Sequence, residues 1–206
     1  MKAALLGLPL SGKSTLFRLL TGSLAEAPRR PGVELRQAEV HDPRLERLAR
    51  DYPGQKVIPV QLTLMDFPAL VSGSQRTLAE QLAPAREADL LLLVLHSFEN
   101  PAVPPQAGRI DPNADLERLL EELRLADFEI AEGRQDRARQ SLKKPRPGVR
   151  AELQEELALL GRLSRSLEEG KEISHLELSA AEEKRLRGFQ FLTQKPRVVI
   201  ENLGGG

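Results

Sequence analysis

The strongest chemical signature in the sequence lies near its amino end, in Gly7-Leu8-Pro9-Leu10-Ser11-Gly12-Lys13-Ser14-Thr15. A glycine, four residues and then Gly-Lys-Ser is the spacing of a loop that wraps phosphate oxygens. Such an anion needs converging backbone N–H donors, and glycine permits the close approach because no Cβ blocks it. On this spacing Leu10, Ser11, Gly12, Lys13, Ser14 and Thr15 form the cradle. Lys13 reaches the terminal phosphates, the Ser14 hydroxyl is a ligand for Mg²⁺, and a helix opening at Lys13 points its positive end at the same anion. The bland alternative is a glycine-rich turn with no ligand. Context argues against it, because the apolar run Ala3-Ala4-Leu5-Leu6 precedes the loop and the helical pattern Leu16, Leu19, Leu20 follows. A second group belongs with the first. Val57, Pro59 or Val60, Leu62 and Leu64 alternate as a strand that ends at Asp66, which delivers a carboxylate to the carboxyl end of a strand, where parallel sheets bind ligands. Asp66 there orients a metal-bound water, or else caps the following turn. No side chain is expected as a catalytic base, since phosphoryl chemistry in such loops proceeds by positioning and electrostatic stabilisation.

Other chemistries find little support. His41, His96 and His175 are scattered, without partners at metal-ligand spacing, and surface or capping roles suit them. No serine stands in a nucleophile-elbow context. The pairs Glu121-Glu122, Glu155-Glu156 and Glu168-Glu169 fall on the outer faces of expected helices, as solvated charge. The absence of cysteine excludes disulfides and thiolate metal sites. Lysines and arginines number 30 and acids 30, so no global field draws nucleic acid or membrane. Aromatic residues make up 3%, which leaves an aliphatic core and few base-stacking platforms. With no signal peptide and no apolar run of membrane-spanning length, a cytoplasmic protein without membrane contact is the expectation.

The elements that must position these groups read as an α/β unit with an interruption. Residues 25–32 hold three prolines or glycines and little apolar content, and read as a loop. Residues 33–40 alternate weakly as an edge strand, and His41-Asp42-Pro43 opens a short helix carrying Leu45 and Leu48. A helix over 77–88 leads to Leu90–Leu95, continuously apolar like a central parallel strand. The period then changes. Leu116, Leu119, Leu123, Ala126 and Ile130, and after Pro145-Arg146-Pro147-Gly148 a second series Leu153, Leu157, Leu160, Leu167, predict an antiparallel helical hairpin. A further helix over 178–192 precedes Arg197-Val198-Val199-Ile200, a return to the sheet. The expected fold is a three-layer α/β nucleotide-binding fold with a mainly parallel sheet. The nucleotide-binding part covers 1–110 and 188–206, and the inserted arm 111–187.

Placed in this order, several strings resemble the YchF or Obg-like ATPase family of P-loop proteins. They are Gly7-Leu8-Pro9 with Gly12-Lys13-Ser14-Thr15-Leu16-Phe17, Asp42-Pro43-Arg44-Leu45, Val57-Ile58-Pro59-Val60, Asp66, Phe98-Glu99, Asp111-Pro112, Glu122-Leu123-Arg124-Leu125-Ala126-Asp127-Phe128-Glu129 and Leu192-Thr193-Gln194-Lys195-Pro196. The resemblance spans essentially the whole chain. It implies a GTPase-like domain interrupted by a coiled-coil arm, binding ATP or GTP with Mg²⁺ and working near ribosomes. It also implies that Asn202 lies in the base-recognition stretch.

The chain departs from the family pattern in three places. Asp66-Phe67-Pro68-Ala69 puts alanine where the family has a glycine that meets the γ-phosphate. Pro28 to Pro31 offers no counterpart of the switch threonine, and Leu70 is the apolar residue usual in the family. Asn202-Leu203-Gly204-Gly205 keeps the asparagine of the family's Asn-x-x-Glu but not the acid, and the closing strand, helix and TGS module of the family lie beyond Gly206. A fragment and a naturally shortened relative are both compatible with this. Three readings follow: a slow Mg²⁺-dependent NTPase, a nucleotide-binding interaction protein without turnover, and a hairpin whose tip contacts RNA. The last rests on Arg134, Arg137, Arg139, Lys143, Lys144, Arg146 and Arg150, with Asp136 the lone acid among them. A solvated tip that keeps the arm soluble is its plain alternative.

Overall fold

The apolar run near the amino end forms strand β1 (Lys2–Leu6), and the loop after it feeds helix α1 (Lys13–Leu20). This is a computed structural model, and it describes residues 1–23, 32–68, 77–99, 109–144 and 147–204. The chain continues through β2 (Glu34–Glu39), α2 (Pro43–Asp51), β3 (Gln61–Asp66), α3 (Leu78–Leu82), β4 (Leu90–His96), α4 (Pro112–Lys143), α5 (Arg150–Glu168), α6 (Ala180–Leu186) and β5 (Arg197–Asn202). The strands form one sheet in the order β2-β3-β1-β4-β5, with β2 antiparallel to β3 and the other pairs parallel. The expected α/β class with a mainly parallel sheet and an inserted helical hairpin is therefore present.

The chain divides into two compact units. The first holds residues 1–69, 88–112 and 197–206, the second 70–87 and 113–196. In the first, Phe17 of α1 packs on Ala3, Leu5, Leu64 and Leu92 of the central strands. Ala3, Ala4, Leu5, Leu91 and Leu93 are fully buried on both faces of β1 and β4, which is why these strands read as unbroken apolar runs.

In the second unit α4 and α5 run antiparallel. Ala131, Leu160, Leu163 and Leu167 share a core with Ile173, Leu186 and Phe191. Gln135 donates to Ser164 at 2.8 Å inside the hairpin, and Arg134 makes a two-pronged pair with Glu156 at 2.7 Å. The unit's polar anchor is Asp127 on α4, whose carboxylate is fully buried. It accepts from Arg86 at 2.7 Å, from the N–H of Leu192 at 3.0 Å and Thr193 at 2.8 Å, and from the Thr193 hydroxyl at 2.9 Å. Four donors on one carboxylate offset the large desolvation cost of the ion pair, and removing either charge would strand the other at a cost of about 3–5 kcal/mol.

Several elements differ from expectation. The strand expected from Val57 begins only at Gln61, and Val57, Ile58 and Val60 are exposed, because Pro59 has no N–H to give a ladder. The helix expected over 77–88 is α-helical for one turn and then a 3₁₀ segment, Ala83–Glu87, that contains Pro84. The helix expected over 178–192 is only the seven residues of α6, started by a capping box between Ser179 and Glu182. Residues 77–87 and 188–196 cluster with the helical unit, whereas the sequence reading groups them with the sheet.

Candidate functional site

The loop between β1 and α1 is shaped by its backbone. Gly12, the residue before α1, has φ 90° and ψ 10°, a left-handed conformation that favours glycine. Leu10 also has a positive φ, 65°, and exposes its side chain. A Cβ on Gly12 would collide with the Asn202 amide. One on Gly7 would come 2.5 Å from the Val94 carbonyl oxygen of β4. Gly7 is thus required by its close approach to backbone, and Gly12 by its left-handed φ. The helical ladder starts with the Leu16 N–H donating to the Gly12 carbonyl at 2.9 Å, so the positive end of α1 is presented at Gly12.

Lys13 is buried, and its ammonium donates to the carbonyls of Gly7 at 2.9 Å and Leu8 at 3.4 Å, which folds the side chain back over the loop. Ser14 lies in the first turn of α1, and Thr15 beside it is exposed. Ser11 is buried; its N–H donates to Leu8 at 3.3 Å, and its hydroxyl has no hydrogen-bond partner among the described residues. Asp66 is the last residue of β3 and is buried, in register with Leu5 of β1. Asn202, the last residue of β5, donates from Nδ2 to the Ser11 carbonyl at 3.1 Å and accepts the Gly204 N–H at Oδ1, also at 3.1 Å. The carboxyl ends of β1, β3 and β5 thus meet around one loop.

A group not expected from the sequence adjoins it. His96, expected in a surface or capping role, is buried at the end of β4; its Nε2 lies 2.9 Å from the Phe98 carbonyl oxygen, and the two rings are 4.2 Å apart. The Ser97 N–H donates to the Asn202 carbonyl at 2.9 Å, and Gly204 lies against Phe98. The placement of His96 at the end of an unbroken apolar strand was the signal that could have found it. Ala69, Leu70, Pro28 to Pro31 and Gly205 lie outside the described residues.

The donor set suits Mg²⁺. Among the described residues no cluster of three or more histidine, cysteine or acidic side chains could enclose a metal. A hydroxyl on Ser14 and a carboxylate on Asp66 are hard oxygen donors of the kind that serve an ion keeping several waters and phosphate oxygens.

A mainly parallel sheet whose first strand runs through a glycine-bent loop into a helix, with a lysine folded over that loop, defines a P-loop fold. The chain belongs to the 50S ribosome-binding GTPase family, whose profile matches residues 2–131. Within it the chain is similar to the YchF and Obg-like ATPases. It is 32% identical to the ribosome-binding ATPase YchF of Pasteurella multocida over 98% of this chain and 56% of that one. It is 33% identical to YchF of Escherichia coli O157:H7 over the same shares, and 31% identical to Obg-like ATPase 1 of Oryza sativa over 98% of this chain and 52% of that one. The solved Schizosaccharomyces pombe YchF GTPase superposes with a TM-score of 0.78 at 26% identity, covering 99% of this chain and 57% of that one. The chain thus spans about half the length of the relatives it matches.

Proposed function

We propose that the chain binds a purine nucleoside triphosphate, ATP or GTP, with Mg²⁺ at the loop from Leu10 to Thr15, and that it turns the nucleotide over slowly near the ribosome, in the cytoplasm. The observation that carries this is the loop's backbone, with Gly12 left-handed at the head of α1 and Lys13 stored against the Gly7 carbonyl. In this reading Lys13 swings from its own carbonyls to the phosphates, Ser14 and Asp66 hold the metal, and Asn202 keeps the loop open by its bond to Ser11. Mg²⁺, when bound, supplies positive charge to the phosphate oxygens. The names of the relatives support the ribosome as the place of action. Among the described residues no helix is long and apolar enough to cross a membrane.

A second reading, nucleotide binding without turnover, is favoured by Pro68 and Ala69, which leave no glycine after Asp66 at the position that meets the γ-phosphate. Calorimetric titration with ATP, GTP, ADP and GDP in Mg²⁺, followed by a phosphate-release assay, separates the two. The proposal expects tight binding that Lys13→Ala weakens about ten- to hundredfold, the worth of a lysine–phosphate bond. Binding without release would leave the second reading, and no binding of any of the four would overturn both.

We further propose that the hairpin tip meets ribosomal RNA. The structure narrows the seven cations expected there: Arg134 is committed to Glu156, and Arg139 to Asp136 and Gln135. Arg137, Lys143, Lys144 and Arg150 are exposed, and Arg146 lies outside the described residues.

A further inference from the structure

His96 is a buried imidazole that the proposed chemistry leaves without a task. It closes β4 and stands in register with Asn202, the last residue of β5. Its Nε2 lies 2.9 Å from the Phe98 carbonyl oxygen. A carbonyl can only accept, so the proton sits on Nε2 and the ring donates to its own chain two residues on. That bond, with the His96 and Phe98 rings 4.2 Å apart, ties residues 96–98 into a closed turn.

The turn carries the last rung between the two strands. The Ser97 N–H, between the two tied residues, donates to the Asn202 carbonyl at 2.9 Å. Phe98 also walls in Gly204, where a Cβ would come 2.8 Å from the Phe98 Cβ, and the Gly204 N–H donates to Asn202 Oδ1 at 3.1 Å. Asn202 is therefore held at its backbone by Ser97 and at its side-chain oxygen by Gly204, and both holders lean on the turn that His96 closes. The other polar group of that side chain, Nδ2, donates to the Ser11 carbonyl at 3.1 Å and stands where a Cβ of Gly12 would be. Because the peptide unit is planar and trans, gripping the Ser11 carbonyl also sets the Gly12 N–H, which points the opposite way.

We propose that His96 is a positioning residue of the phosphate loop, acting through Phe98 and Asn202. The imidazole N–H holds the turn, the turn holds Asn202, and the Asn202 amide fixes the Ser11–Gly12 peptide of the cradle. Strand ends open locally at little free-energy cost, so a last rung without this support would fray and release the Asn202 amide from Ser11. The effect on nucleotide rests on the loop's binding one; the effect on the Asn202 amide does not.

Two substitutions separate the ring from its N–H. His96→Phe keeps a ring beside Phe98 and drops the donor, whereas His96→Gln drops the ring and keeps an N–H at about the reach of Nε2. In ¹H–¹⁵N spectra of the whole chain without nucleotide, the Asn202 side-chain amide is expected to exchange slowly in the parent and in His96→Gln. In His96→Phe it should exchange about three- to tenfold faster, as for the loss of one hydrogen bond. Titration with ATP or GTP in Mg²⁺ should show affinity falling about three- to tenfold in His96→Phe and restored in His96→Gln. In an Asn202→Ala background His96→Phe should cost no further affinity, because an effect routed through Asn202 disappears with it. If circular dichroism shows that His96→Phe does not fold, His96→Leu takes its place. An Asn202 amide unmoved by loss of the N–H, or loosened as much in His96→Gln, would overturn the proposal and leave His96 a satisfied core group. So would affinity losses that add in the double variant. If no nucleotide binds the parent, the reading of the loop fails, and the amide exchange still decides the role of His96.

Discussion

Leu10 carries a Cβ at φ 65°, where L-residues other than Asn and Asp are uncommon, and its side chain is 55% exposed. The left-handed conformation costs a residue of this kind about 1–2 kcal/mol. Glycine would relieve that cost while adding about 0.4–1 kcal/mol of unfolded-state entropy to be lost on folding. The relief outweighs the entropy, and little buried surface is given up. Leu10→Gly is therefore expected to raise stability by about 0.5–1 kcal/mol in thermal unfolding. An unchanged or lowered midpoint would show that the loop relaxes without strain. Gly12 is the converse case, because at φ 90° its left-handed turn strains any side chain, and a Cβ there would also push aside the Asn202 amide. The glycine and lysine spacing was legible in the sequence because local backbone geometry dictates it. The Asn202–Ser11 bond was not, since it spans nearly the whole chain and exists only once β5 is seated beside β4.

At the level of elements, α2 has little support from packing and leans on its N-cap. None of its residues is buried, and a helix of nine residues is marginal alone in water. Asp42 accepts the Arg44 N–H at 2.9 Å and grips the Arg44 guanidinium at 2.8 Å. The side-chain bond to Arg44, and next the backbone bond from the same residue, lower the Asp42 carboxyl to about 2. A depressed carboxyl contributes stability above its unfolded pKa near 3.9, and that contribution is lost as pH falls through its folded value. Amide and Cα chemical shifts of Pro43 to Asp51 are thus expected to keep helical values down to about pH 4 and drift towards coil between about pH 4 and 2. Asp42→Asn keeps a capping oxygen and should flatten the drift. A drift that persists in that variant would place the titration elsewhere. The hairpin was the element most legible in the sequence, because long helices repeat their apolar residues over many turns, and Leu119, Leu123, Ala126, Leu153, Leu160 and Leu167 are all buried. Val57 to Pro59 misled because alternation survives in a segment outside the strand, where Pro59 has no N–H to give, and only the Val60 carbonyl, accepting the Val40 N–H at 2.8 Å, extends the pairing. The role of Asp127 was hidden because a buried carboxylate mid-helix looks like a solvated one until Arg86 and Thr193 close around it.

Across the whole molecule the charges balance, so any recognition of a polyanion must come from where cations gather. The hairpin tip is such a place, because Arg137 and Lys143 on α4, Lys144 just beyond its end and Arg150 at the start of α5 are exposed. Arg134 and Arg139, which look equivalent in the sequence, are already paired with neighbouring acid or amide groups. If four such cations each displace a counterion from an RNA phosphate, the logarithm of the affinity should fall with the logarithm of salt concentration with a slope of about −3. Lys143→Glu and Lys144→Glu together should remove about half of that slope and weaken binding to ribosomes most at low salt. Arg134→Gln should leave the slope unchanged while loosening the hairpin, which separates contact from architecture. Filter binding across a salt series is the measurement. Affinity that ignores both salt and the lysine reversals would return the tip to the role of a solvated turn and leave the ribosome to be met by another surface.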